Sequence, residues 1–300
     1  MEVITAEIQE TKAIGLREKL AAYLELTKPR IALMLVLTSA AGFYLGAAKG
    51  FDTMLFINAM IGIALLAFGV ATLNQVWERK TDALMERTAR RPLPTQKISL
   101  TEAVAFGVLL CVVAEIYLAF LVNGLTAILG LIVIVGYVLL YTPLKTRTSA
   151  STAIGAIPGA MPPLMGWTAS ANEISLGAWA LFALLFLWQF PHFLAIAWMY
   201  REQYAKAGIL MLPVIEPEGK ITAKQIVIFT VLLLPVSLAP YFLGFAGLIY
   251  LIGASLLGLW FLATSIKAAR AKSVEQARKL LLVSVLYLPL IFALMVFNHK

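Results

Sequence analysis

The sequence of 300 residues has one cysteine, Cys111, and two histidines, His192 and His299. A single cysteine makes no intrachain disulfide, no CxxC redox pair and no CxxCH haem attachment. Set in an apolar run, Cys111 reads as a small buried side chain. Charge is scarce too. Asp, Glu, Lys and Arg make up 13% of the chain, against 61% hydrophobic residues, and the mean hydropathy is +0.88. Soluble domains run near 25% charged and about 45–50% apolar, so this chain cannot hide its apolar surface inside a water-soluble globule. There is no repeat of fixed period, no low-complexity tract, and no Ser-His-Asp or Cys-His arrangement for a covalent nucleophile.

What the chain has is long apolar runs. A bilayer span takes roughly 20 apolar residues, and nine candidates fit: 31–48, 53–77, 103–122, 125–140, 150–169, 176–199, 226–243, 245–266 and 280–297. Several contain Gly or Pro, which membrane helices tolerate when neighbouring helices re-satisfy the backbone. The expected fold is all-α: a polytopic bundle of nine transmembrane helices spanning 27–300, after an N-terminal segment, 1–26. The net charge of +8 is explained by topology, and no nucleic-acid partner is implied. With the N-terminus in the cytoplasm, every Lys and Arg except Lys49 and Lys300 falls in a cytoplasmic segment, as the positive-inside rule requires. The C-terminus is then outside. The first 26 residues are too acidic for a transit peptide and lack a signal peptide's apolar core. Leu16, Leu20 and Leu24 recur every four residues, which suits either an interfacial amphipathic helix or a solvated helical tail.

Two cytoplasmic loops are long, about 78–100 and 200–224, and long loops that are not low-complexity tend to be functional. The first begins on a helix end carrying Asn74, Glu78 and Asp82. Residues four apart share a helix face and rise about 6 Å per step. Three oxygen donors in such a row suit Mg²⁺, a hard cation that takes one or two carboxylates plus substrate phosphates. Arg87, Arg90 and Arg91 follow, and guanidinium matches phosphate oxygens in bidentate fashion. Carboxylates for a metal beside guanidiniums for phosphates is the layout of a diphosphate site. The competing reading is a solvated face with i,i+4 pairs. Asn74 weighs against it, because it follows an apolar run where an unpaired amide is costly.

The row Asn74-xxx-Glu78-xxx-Asp82, followed by Met85-Glu86-Arg87-Thr88 and Arg91-Pro92-Leu93, resembles the first motif of the UbiA-type intramembrane prenyltransferases, in the form used by their haem-farnesylating branch. Thr27-Lys28-Pro29-Arg30, Tyr141-Thr142-Pro143-Leu144-Lys145, the run Gly155–Trp167, and Trp188-Gln189-Phe190-Pro191-His192-Phe193 with Tyr204 extend the resemblance over about residues 26–215. It implies transfer of a farnesyl group from farnesyl diphosphate to the 2-vinyl group of haem b, with Mg²⁺ held by Asn74, Glu78 and Asp82. Arg87 and Lys145 would act with that row in catalysis. Arg90, Arg91, Tyr141, Arg147, Trp188, Gln189, His192 and Tyr204 would bind substrate. The product, haem O, serves haem-copper respiratory oxidases, directly or after conversion to haem A. The implied setting is a bacterial or archaeal plasma membrane, with the lipid bilayer, haem A synthase and oxidase assembly factors as partners.

The chain departs from the family in two places. Glu78 stands where Asp is frequent. The second long loop reads Tyr200-Arg201-Glu202-Gln203-Tyr204, with one acid where quinone-directed members carry a second Asp-rich motif. That absence counts against a quinone acceptor. A transporter is the rival from another class, but the polar residues gather at the cytoplasmic ends and not at the bilayer midplane where transporters bind. Lys145 and Arg147 can also be read as topology markers, and Glu202 as a surface charge. Glu115, in the third span, reads as a buried acid paired with a neighbouring tyrosine or amide. For His192 three roles stand open: a ligand to haem iron, with Gln189 fixing the imidazole tautomer and Trp188 packing on the porphyrin; proton removal or water delivery; and packing.

Overall fold

A computed structural model describes residues 14–48 and 50–300. The proposed N-terminal segment is thus seen only from residue 14. Residues 1–13 and Lys49, which entered the charge argument, lie outside the described residues. The helices are α1 (Leu16–Leu26), α2 (Pro29–Gly46), α3 (Thr53–Asp82), α4 (Leu100–Leu121) and α5 (Gly124–Ile134), which runs through a π-helical stretch (Val135–Tyr141) into α6 (Thr142–Leu144). Then come α7 (Ser151–Gly159), α8 (Met161–Ala171), α9 (Leu176–Met199), α10 (Arg201–Lys206), α11 (Leu212–Ile215), α12 (Lys220–Phe242), α13 (Leu248–Ala271) and α14 (Val274–Phe297). No strand occurs among the described residues beyond an isolated bridge between Ala246 and His299, so the fold is all-α.

Helix starts follow local chemistry. Asp52 caps α3 through Leu55 N at 3.0 Å, and Asn123 caps α5 through Thr126 N at 2.9 Å. Ser99 and Glu102 form a reciprocal capping box at the head of α4. Each such cap is worth about 1 kcal/mol.

Eight helical stretches are long and apolar enough to cross a membrane. The nine unbroken spans expected from sequence therefore need one correction. Span 150–169 is divided at Ala160 into α7 and α8. Pro162 and Pro163 have no N–H to give to the carbonyls of Pro158 and Gly159, and their rings crowd those carbonyls. The pair still runs the height of the bundle. Thr152, at the start of α7, touches Met211, and Asn123 at the far end donates to the Thr168 carbonyl of α8 at 2.9 Å. The alternation of ends is preserved.

The broken pair lies against α2 with almost no spacing. A Cβ on Gly166 would sit 1.9 Å from the Ser39 carbonyl oxygen, and Ser39 Oγ reaches Pro162 O at 2.8 Å. Small residues allow such backbone approach where lipid supplies no hydrophobic drive between helices. Around the bundle, Ile31, Leu109, Ile128, Leu256 and Phe297 stay exposed, an apolar surface that belongs in a bilayer. The molecule is an integral membrane protein.

α1 lies across one end. Its Ala22 and Leu26 pack with Leu93, Ile98 and Ala103, and Gln75 Nε2 donates to the Leu26 carbonyl at 3.0 Å. Leu16, Leu20 and Leu24 form an exposed stripe on its outer side. The C-terminus lies at the opposite end, where Asn298 O accepts from Gly247 N at 2.8 Å and His299 Nδ1 stands 2.7 Å from Phe245 O.

Candidate active site

α3 extends past the apolar core by two turns and carries the Asn74, Glu78 and Asp82 row inward. Asn74 and Asp82 are each 1% exposed, which excludes a solvated helix face. Each member meets a cation. Lys28 Nζ donates to Asn74 Oδ1 at 2.7 Å. Lys145 is paired with Glu78. Arg91 Nη1 donates to Asp82 Oδ2 at 2.7 Å and stands 4.0 Å from Glu78 Oε2. Asn74 also donates from Nδ2 to Thr142 Oγ1 at 3.2 Å. Four separate chain segments thus converge on one row.

Local structure explains the convergence. Lys28 has φ +47°, in the left-handed region, a conformation costly for a residue with a side chain and often found at functional sites. It turns the chain between α1 and α2 and sends the amine to Asn74. After α3, Thr88 Oγ1 donates to Asp82 O at 2.9 Å, folding the loop back so that Arg91 returns to Asp82. The π-helical stretch places Tyr137 and Tyr141 rings 4.9 Å apart, with Thr142 Oγ1 donating to Tyr137 O at 2.7 Å. Lys145 Nζ lies 4.3 Å from the Tyr141 ring centroid.

Burial pushes Lys28 down to about 8, only partly offset by Glu78. Burial would lower Lys145 too, but the Glu78 carboxylate, with Tyr141 and Tyr137, holds it well above its usual value. Three cations face two carboxylates, so the cluster has a surplus positive charge suited to an anion.

The second long loop closes over this group. Leu210 N donates to Lys145 O at 2.8 Å. Arg87 Nη2 is 3.5 Å from Tyr204 Oη, its backbone N is 3.4 Å from Gln203 Oε1, and its guanidinium lies 5.1 Å from the Tyr200 ring centroid. Burial pushes the Tyr204 phenol up, against the pull of Arg87 and Lys145. Arg90 and Arg147 are exposed and make no ion pair among the described residues, so the structure does not bring them to the row. Glu202 is exposed as well.

The donor set suits a hard cation. No cluster of three His, Cys, Asp or Glu exists among the described residues. A metal here would rest on two carboxylates, the Asn74 amide and the substrate's phosphates, which is the pattern Mg²⁺ favours. Asp82 Oδ1 and Glu78 Oε2 carry no hydrogen bond within 3.5 Å among the described residues, so each carboxylate keeps one oxygen uncommitted.

On α9 the expected arrangement is partly corrected. Gln189 does not face His192. Its Nε2 donates to Ala156 O at 3.1 Å and Leu185 O at 3.2 Å, and it fits α7 only because residue 159 is glycine: a Cβ there would lie 2.2 Å from Gln189 Oε1. Trp188 stacks on the His192 ring, centroids 4.5 Å apart at 22°. The partner of His192 is Ser284, whose Oγ is 2.8 Å from Nδ1. Glu115 is also corrected. Both carboxyl oxygens are buried without a partner, while Tyr117 donates to Asn58 Oδ1 at 2.9 Å instead. Sequence reasoning passed over Lys28, Thr142 and Ser284. Only the first two lay in motifs it had singled out.

An intramembrane helical bundle with a cationic, oxygen-rich cluster at one end is the frame of a prenyl diphosphate enzyme. The UbiA prenyltransferase family matches residues 35–295, and the chain belongs to that family. A protoheme IX farnesyltransferase of Solibacter usitatus is 47% identical over 286 residues, covering 92% of this chain and 98% of that protein. Another, from Koribacter versatilis, is 44% identical over 295 residues and covers 95% of each chain. Among solved structures, a digeranylgeranylglyceryl phosphate synthase matches with a TM-score of 0.80 at 20% identity, over 94% of this chain and 98% of its own. A UbiA homologue from Archaeoglobus fulgidus, bound to GPP and Mg²⁺, matches with a TM-score of 0.67 at 19% identity, over 91% and 99%. These last two share the fold.

Proposed function

We propose that this protein transfers the farnesyl group of farnesyl diphosphate to the 2-vinyl group of haem b, giving haem O for haem-copper respiratory oxidases. The identity to protoheme IX farnesyltransferases over nearly the whole chain supports the reaction. The observation that carries the mechanism is the pairing of Lys28, Lys145 and Arg91 with Asn74, Glu78 and Asp82 at one end of the bundle.

Asn74, Glu78 and Asp82 hold Mg²⁺, which when bound supplies Lewis-acid neutralisation of the diphosphate. Lys28, Arg91, Lys145 and Arg87 turn from their present partners to the phosphate oxygens and stabilise the leaving group as its C–O bond breaks, an electrostatic contribution that is usually the largest in such steps. Tyr204 orients Arg87, and the Tyr141 ring faces the allylic cation beside Lys145. Toward the opposite end α3 continues through Val70, Leu66 and Ile63 in the apolar core. An apolar, water-poor setting there protects the cation from early hydrolysis. Farnesyl C1 bonds to the terminal vinyl carbon. Water then adds to the porphyrin-side cation and loses a proton, leaving a hydroxyethylfarnesyl side chain and pyrophosphate. On the acceptor side His192 offers its imidazole to the haem iron, a common haem ligand.

The cluster end faces the cytoplasm, as the distribution of Lys and Arg favours, in a bacterial plasma membrane. Onward delivery to haem A synthase or to oxidase assembly factors belongs to the same reading. The test is incubation of membranes with haem b, farnesyl diphosphate and Mg²⁺, then mass analysis of extracted haem. A gain equal to farnesyl plus water is expected. Pyrophosphate release with unchanged haem would overturn the acceptor.

A further inference from the structure

We infer that Ser284, on α14, is a positioning residue that fixes the tautomer of His192 and leaves its Nε2 lone pair free for the acceptor. The inference rests on the acceptor-side reading of His192 given above. Its basis is a hydrogen-bond assignment that has only one consistent solution.

Ser284 is fully buried. Its Oγ lies 2.7 Å from the Leu281 carbonyl oxygen and 2.8 Å from His192 Nδ1. A carbonyl only accepts, and a hydroxyl has one proton to give. Were that proton spent on Nδ1, two oxygens would face each other at 2.7 Å with lone pairs alone. The proton therefore goes to Leu281, and Oγ accepts from Nδ1–H. A neutral imidazole protonated on Nδ1 carries its lone pair on Nε2.

The ring cannot easily turn away from this arrangement. The Ser284 carbonyl accepts from Trp188 Nε1 at 2.9 Å, and the same indole stacks on the imidazole. The Phe193 ring meets it edge-on, with centroids 5.4 Å apart. One serine thus holds both the histidine and the tryptophan that covers it. Nε2 has no protein partner among the described residues, and it is not among the sealed, unpartnered buried atoms. It remains open to an incoming group. Metal-bound histidines commonly donate the other ring N–H to such an outer partner, and its loss costs about 10–100-fold in affinity or activity.

The chain's two histidines make the assignment measurable. In protein labelled with ¹⁵N-histidine, and in its His299→Ala variant to remove the second signal, His192 should show a protonated Nδ1 and a pyridine-type Nε2. In Ser284→Ala the single tautomer should give way to a mixture. Haem b binding, followed by the Soret band, should weaken about tenfold or more, while KM for farnesyl diphosphate stays unchanged. Ser284→Thr, which keeps the hydroxyl, should recover the tautomer and the haem affinity. A wild-type proton on Nε2, or a Ser284→Ala protein with unaltered tautomer and Soret titration, would overturn the inference. The wild-type spectrum decides the matter even where Ser284→Ala does not fold. His192→Ala separates the two levels. Normal haem turnover in it removes the acceptor role itself, whereas lost haem binding there with an unaltered Ser284→Ala removes only the role of Ser284.

Discussion

Arg91 Nη1 stands 2.7 Å from Asp82 Oδ2, so the loop that leaves α3 returns to the last residue of the helix it came from. The pair ties the proposed metal ligand to the proposed phosphate ligand. Asp82→Asn keeps size and removes the charge. Farnesyl transfer at saturating Mg²⁺ should fall by about 10²–10³, the usual loss when one electrostatic contributor is removed, with protein levels in membranes unchanged. Asn74→Ala should be similarly severe. Near-normal turnover in Asp82→Asn would leave the row with only a structural role.

Lys28 reaches the row through a left-handed backbone. Lys28→Met removes the amine and keeps the strain; Lys28→Gly removes both. If the cation matters, both variants lose farnesyl diphosphate affinity, read as a rise in KM of about tenfold or more, one lost charge-assisted hydrogen bond being worth about 1.5–3 kcal/mol. Activity retained in the glycine variant alone would assign Lys28 to shaping the turn.

Arg87 lies against the Tyr200 ring and reaches toward Tyr204. Lysine keeps the charge but lacks the planar fork that stacks and binds in bidentate fashion. Arg87→Lys should therefore lower kcat/KM for farnesyl diphosphate, and Tyr204→Phe should lower it less. Equal activity in Arg87→Lys and wild type would show that only the charge counts.

The orientation is open to labelling. Cys111, the one native cysteine, is buried. A cysteine at His299 should react with a membrane-impermeant thiol reagent on intact cells, and one at the exposed Arg90 should not. The reverse pattern would place the cluster outside the cell.

Gly159 and Gln189 should be coupled. Gly159→Ala would set a methyl group 2.2 Å from Gln189 Oε1, an overpacking that typically costs about 1–3 kcal/mol. Thermal unfolding in detergent should show that loss. Adding Gln189→Ala should recover part of it, the mark of residues in direct contact.

Much of this was legible in the chain because it is local. The Asn74, Glu78 and Asp82 row follows from helical periodicity, and the apolar runs follow from composition. The basic loops gave the end of the bundle where chemistry belongs. Lys28 lay in a noted motif but was passed over, because its use depends on a left-handed turn that no pattern announces. The prolines at 158, 162 and 163 were visible, yet whether a membrane helix bends or breaks at proline is decided by what packs on it. Ser284 had no local signal: it meets His192 only when α14 closes on α9. Gln189 shared a motif with His192 but faces α7, since three residues along a helix leave two side chains about 60° apart.

The π-helical stretch sets a constraint on chain length. Between Val135 and Tyr141 each turn holds more residues than an α-helical turn, so the segment stores a spare residue inside a continuous rod. Deleting one residue there would let the rod settle into ordinary α-helix and still cross the bilayer. Everything beyond it would be rotated by about 100°, carrying Lys145 off Glu78 and Thr142 off Asn74. The working position of Lys145 is thus written in a residue count as firmly as in its own side chain.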